Sequence, residues 1–208
     1  TVVGNRTDAA IVDNATNCTV AANTLDSGAA TQPWGGGGDM VLLYSTKVTT
    51  PTSSITTGTL PTGYKSLVID TSLRCDGAYA SRVVLGYFNG DTTKTNYQDT
   101  NLVTYSTTLS GAAHDYPYVA GTNGATAPAG FFSSDRIVIQ DHEGTANYKT
   151  WNTAETTHIG TGSTQRYQVL ISGLWKNTAA ITSITFEVDD AGAPDFIAGS
   201  FVAVYGLK

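Results

Sequence analysis

Hydrophobic residues recur at alternate positions in short segments of the chain after position 39, which is the pattern of half-buried β-strands. In segment 181–189, for example, Ile184, Phe186 and Val188 share one face of the predicted strand. No segment keeps the hydrophobic spacing of a helix for more than about two turns. The sequence predicts strands at 40–48, 54–60, 65–75, 82–88, 101–109, 136–141, 147–158, 166–175, 181–189 and 196–207.

Turn-forming residues separate these segments. The pair Asn89-Gly90 favours a tight turn, because both residues tolerate a positive φ angle. Many short strands separated by turns favour an all-β sandwich over a fold of alternating strands and helices. Segment 110–135 is rich in glycine, alanine and proline, and we expect it to form a long loop.

Residues 1–38 have a different pattern. Large apolar residues are sparse there, and the segment ends in the glycine run Gly35–Gly38. Consecutive glycines are costly to order, so they favour a hinge. The sequence therefore predicts an extended N-terminal arm with a Gly-rich hinge at 1–38 and one β-sandwich domain at 39–208.

The last predicted strand, 196–207, carries large apolar residues on both faces. A strand of this kind lies in the centre of a sandwich or is buried at a subunit contact. Trp175 ends the strand at 166–175, and we expect its side chain to lie in the core at one end of the sandwich.

The composition narrows the range of partners. Charged residues make up 13% of the chain and the net charge is −6. The eleven basic residues are scattered singly, so we expect no nucleic-acid partner. No apolar run approaches the ~18 residues that a membrane span needs, so we expect no membrane partner.

The polar residues form no recognisable catalytic or metal-binding motif. Segment 141–143 (Asp-His-Glu) offers neighbouring ligands, but adjacent residues of a strand point in different directions. Asp189, Asp190 and Asp195 flank a turn without the spacing of a calcium loop. We expect no catalytic residue, no metal ligand, no cofactor and no enzymatic activity; a polysaccharide-cleaving enzyme is the least favoured hypothesis, because sequence does not identify its carboxylate pair.

Two further features leave alternatives open. Cys18 and Cys75 form one disulfide or stay separate buried thiols, since two distant cysteines carry no spacing signal. Aromatic residues outside the clearest core positions are candidates for contact with a protein partner or a glycan. These candidates are Trp34, Tyr116, Tyr118, Tyr148 and Trp151.

Four segments together resemble a known family. They are Trp175–Ile184 (WKNTAAITSI), Gly199–Lys208 (GSFVAVYGLK), Leu60–Leu67 (LPTGYKSL), and Phe88–Asp91 (FNGD) with the following Asn96-Tyr97. In this order they resemble motifs of jelly-roll virion structural proteins of tailed bacteriophages, over residues 39–208. The resemblance implies an antiparallel jelly-roll-like β-sandwich.

The resemblance also implies a role on the virion surface, with the capsid favoured over the tail. Members of this family decorate capsids, form head fibres or bind receptors, commonly as homotrimers. The favoured hypothesis is a trimeric capsid decoration (cement) protein whose partner is the major capsid protein or another virion protein. The alternative is a tail-tip or fibre receptor-binding module that recognises a host surface carbohydrate.

Overall fold

The computed structural model describes residues 40–162 and 165–208. The predicted arm, with Trp34 and Cys18, lies outside the described residues. The described residues form an eight-stranded and a four-stranded sheet, in which every pair of neighbouring strands is antiparallel. The predicted all-β antiparallel sandwich is confirmed. No helix in this part of the chain is long and apolar enough to cross a membrane.

Twelve strands occur in the described residues. They are β1 (Met40–Lys47), β2 (Ser54–Thr56), β3 (Ser66–Ser72), β4 (Ser81–Phe88), β5 (Tyr97–Tyr105), β6 (Thr108–His114), β7 (Tyr118–Asn123), β8 (Ser134–Gln140), β9 (Lys149–His158), β10 (Arg166–Trp175), β11 (Ile184–Val188) and β12 (Phe201–Leu207).

Eight of these strands have the connectivity of a jelly roll. Strands β1-β12-β3-β8 are neighbours in one sheet, and β2-β11-β4-β7 form the other. Along the chain this arrangement gives two interlocked Greek keys, as in double-sheet jelly rolls. Strands β9, β10, β5 and β6 continue the first sheet beyond β8, in that order. The insertions between β4 and β7 and between β8 and β11 therefore build one extension of the larger sheet.

The predicted long loop at 110–135 is wrong over half of its length. It contains part of β6, all of β7 and the start of β8. The pattern of β6 gave no signal, because this surface strand carries mainly small residues. The pattern of β7 gave none either, because all six of its residues are buried and polar and apolar positions do not alternate.

The core lies between the sheets and contains a cluster of four aromatic side chains. Phe88, Tyr97, Trp151 and Trp175 are each at most 1% exposed. The Tyr97 and Trp175 rings stack with centroids 6.2 Å apart, and Phe88 meets both tryptophans edge-on at 5.6 Å. The expected core position of Trp175 is confirmed. The central position of the last strand is also confirmed, since β12 lies between β1 and β3.

Two of the family-like segments bind each other through Asn89. This residue has a φ angle of 53°, as the tight turn requires. Its side-chain oxygen accepts hydrogen bonds from the backbone N–H groups of Thr182 and Ser183 at 2.8 and 3.2 Å. Its amide group donates to the Ala180 carbonyl oxygen at 2.7 Å. These contacts join the β4–β5 turn to the segment that leads into β11, so both motifs specify the fold.

Candidate functional site

A groove lies where the larger sheet extends past the smaller one. Strand β7 is the edge of the four-stranded sheet and packs against β8, β9 and part of β10. Two side chains of β9 hold this edge in place: Trp151 Nε1 donates to the Tyr118 carbonyl oxygen at 3.0 Å, and Thr153 Oγ1 donates to the Val119 carbonyl oxygen at 2.8 Å. Beyond the edge, the inner faces of β10, β5 and β6 line a groove of about 330 Å³ together with residues of β4 and β9.

Tyrosines form much of the groove wall. Tyr116 and Tyr167 are half-buried and line the groove with the buried Tyr118. The Tyr116 and Tyr118 rings lie nearly parallel with centroids 6.5 Å apart, and Tyr167 stacks on Tyr105 at 4.7 Å. Burial raises the pKa of Tyr116 to about 12, so its hydroxyl stays protonated at neutral pH. The wall therefore combines apolar ring faces with neutral hydroxyl groups.

Two buried carboxyl groups are neighbours at the groove. One lies at the groove floor and the other lies behind it. Glu155 lines the groove, and Asp135 is its cross-strand neighbour between β8 and β9. Tyr118 donates a 2.8 Å hydrogen bond to Glu155 Oε2. Asp135 Oδ2 accepts hydrogen bonds from Thr71 at 2.7 Å and from Ser133 at 2.8 Å.

The electrostatics of this pair favour the protonated forms. Burial raises the pKa of Asp135 to about 7 against the lowering effect of its two hydroxyl partners. Burial, followed by repulsion from Asp135, holds the pKa of Glu155 well above its ordinary value. Two carboxylates so close in a low-dielectric interior do not both ionise easily. Burial and mutual repulsion therefore reduce the negative charge that this pair carries.

Strand β5 places two further polar groups on the groove side. Asp99 is 3% exposed and its Oδ2 lies 3.0 Å from His114 Nδ1 on β6. Burial raises the pKa of Asp99, although the contact with His114 acts to lower it. Asn101 lines the groove and is 6% exposed. Within the described ranges, Asn101 Oδ1 and Asp99 Oδ1 are buried without a hydrogen-bond partner.

This arrangement is suited to recognition by hydrogen bonds and ring contacts. The contact between Asp99 and His114 orients an imidazole, as an acid does in a nucleophilic triad. In the part of the chain that the structure describes, His114 has no serine, threonine or cysteine as a hydrogen-bond partner. At the groove mouth, the Arg82 guanidinium is paired with Asp190 at 3.3 Å.

The structure separates the five aromatic candidates that the sequence proposed. Tyr116 and Tyr118 lie together in the groove. Tyr148 is 55% exposed and does not line it. A surface contact at Trp151 is wrong, because the side chain is fully buried in the aromatic cluster and bonded to β7. Trp34 lies outside the described residues.

Acidic residues of segments 141–143 and 189–195 make hydrogen bonds and ion pairs within the domain. Glu143 Oε1 accepts hydrogen bonds from the N–H groups of Gly63 and Tyr64 at 2.5 and 3.1 Å. His142 is 1% exposed, and burial lowers its pKa. Asp189 is paired with Lys94 at 2.9 Å. Among the residues described, no group of three or more His, Cys, Asp and Glu side chains is placed to hold a metal ion.

Tyr116 and Tyr118 were candidates from the sequence, but the polar residues of the groove were not identified from it. The available signal was the period-two pattern of β5, where Asp99 and Asn101 share a face with Tyr97 and Val103. The same pattern in β9 places Glu155 on the face of Trp151. Polar residues at positions that periodicity assigns to the interior are candidates for a site.

A second surface lies on the outer face of the same extension. Leu102 and Leu170 are in register between β5 and β10, and they are 45% and 60% exposed. Leu109, on β6, is 62% exposed. We call these three side chains the leucine patch. The shallow depression between Leu102 and Leu170 is lined by apolar and neutral polar residues alone.

The structure describes one of the two cysteines. Cys75 is fully buried, with its sulfur 3.5 Å from the Tyr79 hydroxyl and from the Asn123 carbonyl oxygen. Its proposed partner, Cys18, is outside the described residues.

Comparisons with known proteins give no relative. No protein-family model, no curated protein and no solved structure matches the chain.

Proposed function

We propose that the chain is a structural virion protein of a tailed phage that decorates the outer surface of the head as a homotrimer. The resemblance of four segments to jelly-roll virion proteins supports the proposal, together with the jelly-roll connectivity. The observation that carries it is the leucine patch on the extension of the larger sheet.

The leucine patch is suited to contact with another protein surface. Leu102 and Leu170 are cross-strand neighbours on an open sheet face, and the adjacent β6 position is Gly111. Grouped exposed apolar side chains on a sheet mark interaction surfaces, whereas isolated ones are ordinary. Burying such side chains stabilises a contact by about 25 cal/mol per Å² of apolar area.

A second copy of the chain fits this surface best. The chain carries a net charge of −6, so two copies repel each other wherever acidic faces meet. None of the residues that line the depression between Leu102 and Leu170 is charged. Copies that associate there avoid this repulsion.

Attachment to the capsid follows from many contacts in parallel. A trimer presents three copies of each weak binding surface, and linked weak contacts give high overall affinity. The segment 1–38, sparse in large apolar residues, is the proposed contact with the major capsid protein. The domain would then hold three such segments together.

The proposal is tested with the full chain and a charge variant of the patch. We expect sedimentation equilibrium to give a trimer, and the Leu102→Glu/Leu170→Glu variant to dissociate because its glutamates repel across the contact. We expect the wild-type protein to saturate heads assembled in its absence, and the variant to bind them much more weakly.

The matched control is Thr59→Glu/Thr92→Glu, which adds the same two negative charges at exposed residues away from the patch. It should leave both association and head binding unchanged, and circular dichroism should show all three proteins folded. A wild-type chain that stays monomeric, or that does not bind heads, contradicts the proposal.

A further inference from the structure

We propose that the groove between the β7 edge and the strands β5, β6 and β10 is a binding site for a neutral saccharide. This site is distinct from the leucine patch on the opposite face, and the inference does not depend on the proposed role in capsid decoration. It stands on unpartnered buried acceptors, on the ring faces beside them, and on the charge balance of the groove.

The unpartnered acceptors are the strongest of these observations. Asn101 Oδ1 and Asp99 Oδ1 lie on one face of β5, in side chains that are 6% and 3% exposed. Neither oxygen has a hydrogen-bond partner in the described residues. A buried acceptor without a donor is destabilising, so such groups are rare unless a function retains them. Of the two residues, Asn101 also lines the groove, so a saccharide hydroxyl group bound there can donate to its side-chain oxygen.

The tyrosines beside these acceptors provide the other half of a sugar site. Tyr116 and Tyr167 are half-buried and line the groove, and the His114 ring packs against Tyr116 at a centroid distance of 4.6 Å. A pyranose has an apolar C–H face and a rim of hydroxyl groups. The aromatic rings of the groove match the apolar C–H face, and the polar groups of β5 match the hydroxyl groups.

The charge balance favours a neutral ligand over an anion. Glu155 puts a carboxyl group at the groove floor, and this group repels an anion whenever it ionises. The one guanidinium that lines the groove, on Arg82, is already paired with Asp190. An acidic sugar such as a sialic acid is therefore a poor fit.

The same groups also disfavour a cation. Tyr118 donates to Glu155, and burial raises the pKa of this carboxyl group, which favours its uncharged form. A protonated carboxyl group still donates and accepts hydrogen bonds, which suits hydroxyl groups. A volume of about 330 Å³ is at the lower end of the range for small-ligand sites, which suits one or two sugar rings.

The test uses the full chain and a panel of defined probes. The neutral probes are the methyl glycosides of D-glucose, D-galactose, L-rhamnose and N-acetyl-D-glucosamine; the charged probes are N-acetylneuraminic acid, D-glucuronic acid and choline. Chemical-shift perturbation in ¹H–¹⁵N spectra of the wild-type protein should localise a neutral probe to Asn101, Tyr116 and Tyr167. This measurement needs no variant and does not depend on the stability of one.

Variants then assign the contacts. Asn101→Ser and Tyr116→Ala should each weaken binding about tenfold, the loss that corresponds to one hydrogen bond or one ring contact. Tyr148→Ala, which removes an exposed tyrosine outside the groove, should bind as the wild type does. Binding of none of the neutral probes, preferential binding of a charged probe, or shifts confined to residues outside the groove would each overturn the inference.

Discussion

The indole nitrogen of Trp175 donates a 2.8 Å hydrogen bond to Oδ2 of Asp91, which joins the end of β10 to the turn after β4. The same carboxylate accepts from Asn96 Nδ2 at 2.9 Å and from the Thr93 backbone N–H at 3.1 Å. Burial acts to raise the pKa of Asp91, but these hydrogen bonds together hold it below its ordinary value. Asp91 is therefore an ionised structural centre for two of the family-like segments.

Replacing Asp91 by alanine should destabilise the domain. The change removes three hydrogen bonds to a charged acceptor and leaves the buried Trp175 indole N–H without a partner. One hydrogen bond to a charged group contributes about 1.5–3 kcal/mol, so we expect a loss of at least about 2 kcal/mol in the free energy of unfolding. Urea denaturation measures it. Asp115→Ala is the control, because Asp115 is exposed and its side chain accepts a hydrogen bond from Gln98 alone among the described residues; equal losses in the two variants would contradict this role of Asp91.

A methyl group added at Gly206 should also be costly. The Cβ of an alanine there would overlap the Tyr64 ring, which packs against this position of β12. Overpacking of this kind costs about 1–3 kcal/mol. In a double-mutant cycle, Gly206→Ala should cost less in a Tyr64→Ala background, since the overlapping ring is absent. Gly192→Ala is the control, because a Cβ there has ordinary contacts; an unchanged cost in the two backgrounds would rule out the overlap.

The carboxyl pair of β8 and β9 should make stability depend on pH. Asp135 has an ordinary pKa of 3.8 and a folded-state pKa of about 7, so the folded protein holds a proton that the unfolded chain releases between these values. The stability that this raised pKa contributes should therefore be full below about pH 4 and be lost as the pH rises through 7. Asp135→Asn should show a weaker fall between pH 4 and 8, and the remaining fall comes from Glu155, whose pKa burial still raises. Thermal melts across this range test the slope, and a slope identical to that of the wild type would contradict the assignment.

Arg74 should be required for order in the segment after β7. Arg74 is 7% exposed. Its guanidinium donates to the carbonyl oxygens of Ala127, Pro128 and Phe131 at 2.8–2.9 Å. A lysine has one compact ammonium group and does not reach three separated acceptors in the same geometry. Arg74→Lys should increase hydrogen exchange in segment 124–133 while exchange in β10 stays slow. Arg136→Lys is the control, since Arg136 pairs with Asp70 on the exposed outer face.

The predicted strands were largely correct, because their alternation reflects burial directly. Ile184, Phe186 and Val188 are buried in β11 as their spacing predicted. The turn at Asn89-Gly90 was predicted for the same reason, since it depends on local backbone preference. Features determined by neighbouring residues along the chain were thus accessible from the sequence.

The groove was not accessible, because it depends on pairings between distant segments. Strand β5 pairs with β10, about seventy residues further along the chain. Only this pairing brings Asn101 and Glu155 to the same cavity. The burial of Trp151 likewise depends on β7, whose uniform pattern gave no strand signal. Exposure of an aromatic residue does not follow from the sequence of its own strand.

The position of the β5–β6 hairpin has an evolutionary consequence. The hairpin is at the outer edge of the larger sheet, so its length and side chains can change without interrupting a ladder between two other strands. Both the groove and the leucine patch draw residues from it. We therefore expect related chains to diverge most in this hairpin, while the eight jelly-roll strands stay constant. Exchange of this one peripheral element would adapt the same framework to different surfaces.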